Sequence, residues 1–220
     1  MSSLWTEPPT GQWFVSRDGM RWWFDSGDIA LDFAYTGSMG DGRPEWELWN
    51  APGDLDAWVE ERFGVRLRST EADLRTAKEL RDAIAGLVTD VSQGRAQRPQ
   101  QQAVVNRFAA RPDVAPQLGG EPPTPTLDQL LAGLAREAVH MLRDHADRIR
   151  ECGGDNCALV YLDTSRSANR RWCSMSRCGN RHKVRQQRAR QAERSSRDRR
   201  PDRTDRTHRT DRTDPTGEPA

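Results

Sequence analysis

The feature that most constrains this chain is a group of four cysteines late in the sequence. They are the only cysteines among 220 residues, and they follow the spacing Cys-x4-Cys-x15-Cys-x4-Cys: Cys152, Cys157, Cys173 and Cys178. Two close pairs of thiols can supply the tetrahedral ligand set that Zn²⁺ prefers. The pattern predicts one structural zinc ion, because four thiolates leave no open position for a catalytic water or a substrate.

Two disulfides are the main alternative to a metal site. The first nine residues contain no apolar segment of a secretory signal peptide, and grouped cysteines in a cytosolic chain more often bind metal than pair with one another. Redox-active thiols and an iron–sulfur cluster are further alternatives. His182 is a weaker candidate ligand, which we expect to face solvent or a phosphate. We expect a cytoplasmic protein, since no apolar run approaches the ~18–20 residues that span a bilayer.

The net charge of +1 conceals a strong asymmetry along the chain. Residues 1–165 carry a charge of −9, residues 166–200 carry +11, and residues 201–220 carry −1. A dense positive segment recruits a polyanion by releasing its counterions, whereas an acidic body repels it. The charge distribution therefore predicts that nucleic acid binds at the segment that contains the second cysteine pair.

Cations surround this cysteine pair on both sides. The candidate nucleic-acid contacts are Arg170, Arg171, Arg177, Arg181, Lys183, Arg185, Arg188 and Arg190. The arginines from 177 to 188 recur at spacings of 4, 4 and 3, which predicts one shared helical face. Arginines in that pattern can fork to phosphates or to guanine edges in the major groove. A solvated basic helix, or one docked on the acidic body, is the alternative.

Hydrophobic periodicity predicts a mainly α-helical body with a small α+β zinc module after it. We expect an arm over residues 1–20 that is loose or forms a short hairpin, a mostly helical domain over 21–150, the module over 151–194, and a disordered tail of Asp-Arg-Thr repeats over 195–220. Within the body, a strand is expected at 21–24, and short helices at 29–36 and around 104–108.

Capping residues set the expected starts of the longer helices. Asp54 is the predicted N-cap of a helix that ends at Gly64, and Thr70 is the predicted N-cap of a helix that extends to Val91. Thr126, with Gln129 three residues later, opens a helix whose apolar face extends to residue 149. We therefore expect this last helix to continue almost to the first cysteine and to carry the zinc module as a stiff helical lever with little linker freedom.

Inside the module, the pattern predicts a strand at 159–163, a turn at 165–169 and a return strand at 170–172. Ser174 is then the predicted cap of a helix from Met175 to about residue 192. This order is that of a treble-clef-like finger, in which the metal contributes directly to folding. Trp172, Gly179 and Asn180 are expected to have structural roles, with Asn180 hydrogen-bonded to the hairpin or to a thiolate.

Residues 152–190 resemble the CGNR zinc-finger family. The resemblance is carried by Cys178-Gly179-Asn180-Arg181, by Arg170-Arg171-Trp172-Cys173 and by Leu162-Asp163-Thr164-Ser165-Arg166. The body resembles the ABATE domain, chiefly at Ala30-Leu31-Asp32-Phe33-Ala34, although Tyr35-Thr36 follows where that family commonly has Asn-Thr. The resemblance implies a stress-induced transcription regulator whose finger binds DNA.

Other functions are left open by the sequence. The finger could bind RNA or an acidic protein, and the thiols could form a redox sensor. An enzyme is not expected, because Asp25, Asp28 and Asp32 lack a partnering histidine or metal pattern and fit helix capping and ion pairing better. Eight tryptophans could line a small-molecule pocket, but we favour core packing and a surface for a homodimer.

Overall fold

The structure is a computed structural model, which describes residues 10–15, 19–39, 46–114, 118 and 123–198. Nearly all of the predicted tail and most of the predicted N-terminal arm lie outside these residues. The chain divides into two compact units, Met1–Arg181 and His182–Ala220, and each is described by itself. Among the described residues, no helix is both long enough and apolar enough to cross a membrane.

The described part of the first unit is mainly helical, as the sequence predicts, and contains two small antiparallel sheets. Its strands are β1 (Gln12–Val15), β2 (Arg21–Phe24), β3 (Ile149–Glu151) and β4 (Val160–Leu162). Its complete helices are α1 (Ile29–Ala34), α2 (Pro52–Phe63), α3 (Glu71–Ser92), α4 (Pro99–Ala109) and α5 (Leu127–Asp144). One further helix, α6 (Asn180–Asp198), begins at the end of this unit.

Reciprocal capping fixes the starts of the two longest helices in the first unit. The Thr70 amide donates to the Asp73 carboxylate at 2.8 Å, and the Asp73 amide donates to Thr70 Oγ1 at 3.2 Å. Thr126 and Gln129 form the same arrangement at the start of α5, at 2.9 and 3.3 Å. Both predicted starts are confirmed, since these side chains satisfy amides that have no partner within the helix.

Two predicted helix boundaries are wrong. Helix α2 starts at Pro52 with Ala51 as its N-cap, and Asp54 instead lies in the first turn, where its carboxylate accepts from the Ala51 amide at 2.8 Å. Helix α5 ends at Asp144, and the 3-10 turn Ala146–Arg148 and strand β3 separate it from the first cysteine. Ile149 is buried because β3 pairs with β4, although its spacing also fits the α5 stripe.

The hydrophobic core lies where α3, α4 and α5 pack together, with α1 against α3 and α5. Its fully buried side chains include Leu80, Ile84, Phe108, Leu131 and Met141. The helical stripes predicted for α3 and α5 supply most of these residues, because burial of one apolar face is what stabilises such helices.

An N-terminal hairpin covers one end of this core. Strands β1 and β2 pair with Trp13 opposite Trp23, so residues 12–15 form one strand of a short hairpin, which is one of the two forms expected for the arm. The inner face carries Phe14, Trp22 and Phe24. Of the seven tryptophans that the structure describes, Trp22, Trp49 and Trp58 are core residues, whereas Trp13, Trp23 and Trp46 are exposed. Core packing therefore accounts for part of the tryptophan content.

The three early aspartates serve as caps and hydrogen-bond acceptors. Asp28 is the N-cap of α1 and accepts from the Ala30 amide at 2.7 Å. Asp32 is fully buried and accepts from Ser26 Oγ and from the Gly11 amide, both at 2.6 Å. It also lies 3.5 Å from the Arg62 guanidinium. These contacts confirm the prediction of capping and ion pairing.

Replacing Asp28 by Asn is expected to change how stability depends on pH. Burial, reinforced by the charges of Glu137 and Asp32, raises the pKa of Asp28 from 3.8 to about 7 against the opposing hydrogen bond from Ala30. Between these pH values the folded chain binds more protons than the unfolded chain, so the contribution of Asp28 to stability falls as pH rises. Asparagine keeps the cap without the charge. We expect Asp28→Asn to gain about 1–2 kcal/mol over the parent at pH 8 and little at pH 4.

Urea unfolding at both pH values measures this difference. Asp73→Asn is the matched control, because hydrogen bonds from Thr70 lower the pKa of Asp73. That control should lose stability relative to the parent at pH 8. An Asp28→Asn protein that is destabilised equally at both pH values would contradict the account.

Candidate metal centre

The first cysteine pair lies in the loop that joins β3 to β4. Ile149 pairs with Leu162 and Glu151 with Val160 in this short antiparallel sheet. Cys152 directly follows β3, and its amide donates to the Leu159 carbonyl at 2.8 Å. Cys157 closes a tight turn, with its amide donating to the Gly154 carbonyl at 3.0 Å. The ladder therefore places both thiols at one end of the sheet.

The predicted return strand at residues 170–172 is absent. Strand β4 pairs with β3 instead, and individual hydrogen bonds hold the returning segment. The Gly153 amide donates to the Arg171 carbonyl at 2.9 Å, and the Tyr161 hydroxyl donates to the Arg170 carbonyl at 2.8 Å. These two hydrogen bonds, one of them from a side chain, hold the segment beside the sheet without a strand–strand hydrogen-bond ladder.

The second cysteine pair is joined by a wide helical turn. A π-type turn, Met175–Gly179, precedes helix α6, so the helical segment begins where the sequence predicts and continues further, to Asp198. Ser174 takes the N-cap position but makes no capping hydrogen bond with its side chain, and its Oγ lies 2.8 Å from Ser176 Oγ. The turn brings the Cys178 thiol within 3.6 Å of the Cys173 thiol.

All four sulfur atoms lie within 4.8 Å of one another. The Cys157–Cys173 separation is 3.7 Å and the Cys173–Cys178 separation is 3.6 Å. Zinc–sulfur bonds of about 2.3 Å in a tetrahedron require sulfur atoms about 3.8 Å apart. The thiols are not paired as disulfides, and Cys152, Cys173 and Cys178 are buried while Cys157 is partly exposed. The donor set and its spacing fit a tetrahedral thiolate-bound metal.

The electrostatics of the cluster also favour a bound cation. Hydrogen bonds from the thiols of Cys157 and Cys173 lower the pKa of Cys152, and the Cys173 amide adds a bond to its sulfur at 3.2 Å. The pKa of Cys173 rises because its thiol donates to the Cys152 sulfur. Burial and the neighbouring thiolates raise the pKa of Cys178 to about 12. The Cys152 thiolate forms readily, whereas Cys173 and Cys178 require a compensating positive charge to ionise, which a divalent metal supplies.

Two glycines allow the close packing of this region. A Cβ atom at Gly154 would lie 2.9 Å from the Cys178 sulfur, so a side chain at this position would crowd a ligand. The sequence pattern does not indicate this role of Gly154. A Cβ atom at Gly179 would lie 2.8 Å from the Met175 sulfur and 3.4 Å from the Trp172 ring, so the close neighbour is a thioether and not a ligand. Asn180 donates through its side-chain amide to the Ser176 carbonyl at 3.2 Å, in the π-type turn that precedes α6. The predicted bond from Asn180 to the hairpin or a thiolate is therefore not formed.

Comparison with known families agrees with this architecture. Residues 148–191 match the model of the CGNR zinc finger. Residues 27–145 match the model of the ABATE family, whose description is "Putative stress-induced transcription regulator". The chain belongs to the ABATE family. No curated protein matches the chain significantly. Both resemblances noted from the sequence are confirmed.

The CGNR finger is bound directly to the ABATE domain by buried hydrogen bonds. The Tyr35 hydroxyl accepts from the Val160 amide at 2.7 Å and donates to the Val160 carbonyl at 2.8 Å. The Leu162 amide donates to the Ser26 carbonyl at 2.8 Å. Tyr35 therefore satisfies both backbone polar groups of Val160 in β4. The expected attachment through a stiff α5 lever is wrong.

Arg170 and Arg177 also connect the finger to the domain. The Arg170 guanidinium donates to the carbonyls of Asp25, Trp172 and Cys173 at 2.7–3.0 Å. It also stacks on the Tyr161 ring at 4.1 Å. The Arg177 guanidinium lies 3.5 Å from the centre of the Trp22 ring in the N-terminal hairpin. These two cations contact the ABATE domain, so their guanidinium groups contribute to holding the finger on it.

Asp163 fixes the turn that leads to the second cysteine pair. It is fully buried, and its carboxylate accepts from the Ser165 amide at 2.9 Å and from the Arg170 amide at 2.8 Å. Burial alone would raise the pKa of Asp163, but these hydrogen bonds and the Arg170 charge lower it. Asp163 is therefore an ionised structural residue that orders the chain ahead of Cys173.

Proposed function

We propose that this protein is a zinc-dependent, DNA-binding transcription regulator. In this proposal Cys152, Cys157, Cys173 and Cys178 hold one structural Zn²⁺, which ties the β3–β4 loop to the start of α6. The domain over 21–150 senses a signal or mediates assembly, and the finger over 151–194 binds DNA. A regulator is favoured over an enzyme because both matched families are of the regulator and zinc-finger type.

The observation that carries the proposal is the exposure of candidate basic residues in each of the two units. Arg171 and Arg181 are exposed in the first unit, and Lys183, Arg185, Arg188 and Arg190 are exposed in the second. Exposed guanidinium groups on a metal-held scaffold suit contact with phosphates, whose counterions are released on binding. We assign Arg170 and Arg177 mainly structural roles, since each is engaged by the domain.

The experiment compares duplex binding by the full chain and by two charge-matched double variants. Arg181→Ala with Arg185→Ala should weaken binding to a 20-base-pair DNA duplex about 10-fold or more and reduce the salt slope by about 2. Arg68→Ala with Arg75→Ala removes the same charge from exposed positions on the body and should change binding less than twofold. Fluorescence anisotropy at several salt concentrations measures both. Equal weakening by the two variants would place binding elsewhere.

A further inference from the structure

The second unit presents a helix whose described side chains are exposed from Lys183 to Ser195. The other long helices bury one apolar face, whereas this segment contains five cations, three glutamines and one glutamate among thirteen residues. A helix that is polar on all sides has no apolar stripe with which to pack on its own protein. Such a helix is suited to a partner that surrounds it.

The two opposite sides of this helix differ in chemistry. At 3.6 residues per turn, Arg185 and Arg188 share one side with the small residue Ala192 between them. Roughly 180° away, six long polar side chains lie together on one side of the helix: Lys183, Gln186, Gln187, Arg190, Gln191 and Arg194. We call these six residues the mixed face. Cations therefore lie on both sides of the helix, and amides lie on only one.

We propose that this helix inserts into the major groove of B-form DNA, with the mixed face against the base edges and with Arg185 and Arg188 directed to phosphates. The inference rests on the proposed function and adds which surface reads the sequence. Glutamine can form two hydrogen bonds with adenine and arginine two with guanine, so amides interleaved with cations form a base-reading surface. Phosphates carry no sequence information, and cations alone suffice to contact them.

The dimensions and charge of the helix favour this partner over RNA or an acidic protein. A helix with its side chains is about 10–12 Å wide, and the major groove of B-form DNA is about 12 Å wide. The major groove of A-form RNA is too deep and narrow for side chains to read. An acidic protein would be matched by the cations and would give no role to three glutamines aligned on one face.

The test uses the zinc-loaded full chain and a pool of DNA duplexes with a random 20-base-pair region. Selection should recover a preferred site that binds at least 10-fold more tightly than its scrambled version. Gln187→Ala with Gln191→Ala should reduce that preference about 10-fold and change binding to the scrambled duplex less than twofold. Arg185→Ala with Arg188→Ala should weaken binding to both duplexes equally. Gln100→Ala with Gln102→Ala, on exposed positions of α4, is the control and should change neither.

The possible outcomes separate this inference from the proposed function. If the parent binds duplexes but Gln187→Ala with Gln191→Ala keeps the full preference, the mixed face does not read bases and the inference is overturned. The same holds if an RNA duplex of the selected sequence, or a polyglutamate peptide, binds more tightly than the DNA. If the parent binds no DNA duplex, the proposed function fails together with the inference. Alanine is a better helix former than glutamine, so loss of helix does not explain a lost preference.

Discussion

Cys173→Ser is expected to abolish stoichiometric zinc binding and to unfold the finger. Cys173 is buried, its sulfur lies 3.6–3.7 Å from two other ligand sulfurs, and its amide donates to a third. Structural zinc in small fingers contributes on the order of 10–16 kcal/mol of binding free energy, which is available only to the folded chain. Loss of one thiolate should therefore leave residues 152–181 without the interaction that determines their fold. Zinc per chain, measured after gel filtration, should fall from about one to near zero.

The effect should also reach the ABATE domain, because the finger supplies partners to buried groups there. Without an ordered β4, the Tyr35 hydroxyl loses both bonds to Val160, and a buried polar group left without a partner costs about 1–3 kcal/mol. The melting temperature of the whole first unit should fall. Ser174→Ala is the matched control, since its Oγ contacts only Ser176 Oγ and makes no cap. A Cys173→Ser protein that retains one zinc ion would rule out the four-thiolate site.

The second large effect is expected from Gly27→Ala, at the junction between domain and finger. Gly27 has a φ of +84°, and a Cβ atom there would overlap the Leu162 carbonyl oxygen and approach the Leu162 Cβ atom to 3.2 Å. The adjacent bond from the Leu162 amide to the Ser26 carbonyl would have to break for β4 to move away. Backbone strain, steric overlap and the lost hydrogen bond together should cost about 3 kcal/mol or more.

Two other glycines separate these contributions. Gly64 has a φ of +66° but open space around its Cβ position, so Gly64→Ala should cost only about 1 kcal/mol from backbone strain. Gly133 lies inside α5 with no atom near its Cβ position, so Gly133→Ala should stabilise the protein by about 0.5–1 kcal/mol. Urea unfolding of the three variants gives the comparison. A Gly27→Ala protein no less stable than Gly64→Ala would show that β4 can move away from Gly27 at little cost in stability.

The features that the sequence predicts well are those encoded over a few residues. The cysteine spacing, the Thr70 and Thr126 caps and the apolar stripes of α3 and α5 are all local patterns, and the structure contains each of them. The start of α2 was misplaced because Asp54 resembles an N-cap, whereas Pro52 is favoured in the first turn of a helix and moves the start upstream.

The features that the sequence does not reveal depend on contacts between distant residues. Tyr35 and Val160 are 125 positions apart, and Arg170 contacts a carbonyl 145 positions away. Hydrophobic periodicity carries no information about such pairs. For this reason the sequence groups Arg170 with the nucleic-acid contacts and predicts that the finger is carried on a helical lever. Likewise Ile149 has the spacing of the α5 apolar stripe but could equally belong to a strand. Only its pairing with Leu162 decides between helix and strand.

The most direct test of the central claim is duplex DNA binding by the full chain before and after metal removal. The account predicts one zinc ion per chain, loss of most DNA affinity when a strong chelator removes the ion, and recovery on adding Zn²⁺ but not Mg²⁺. Anisotropy of a labelled duplex reports affinity, and circular dichroism on the same samples reports whether the finger has unfolded. DNA binding that persists unchanged in the metal-free protein would contradict the claim that zinc holds the DNA-binding surface in place.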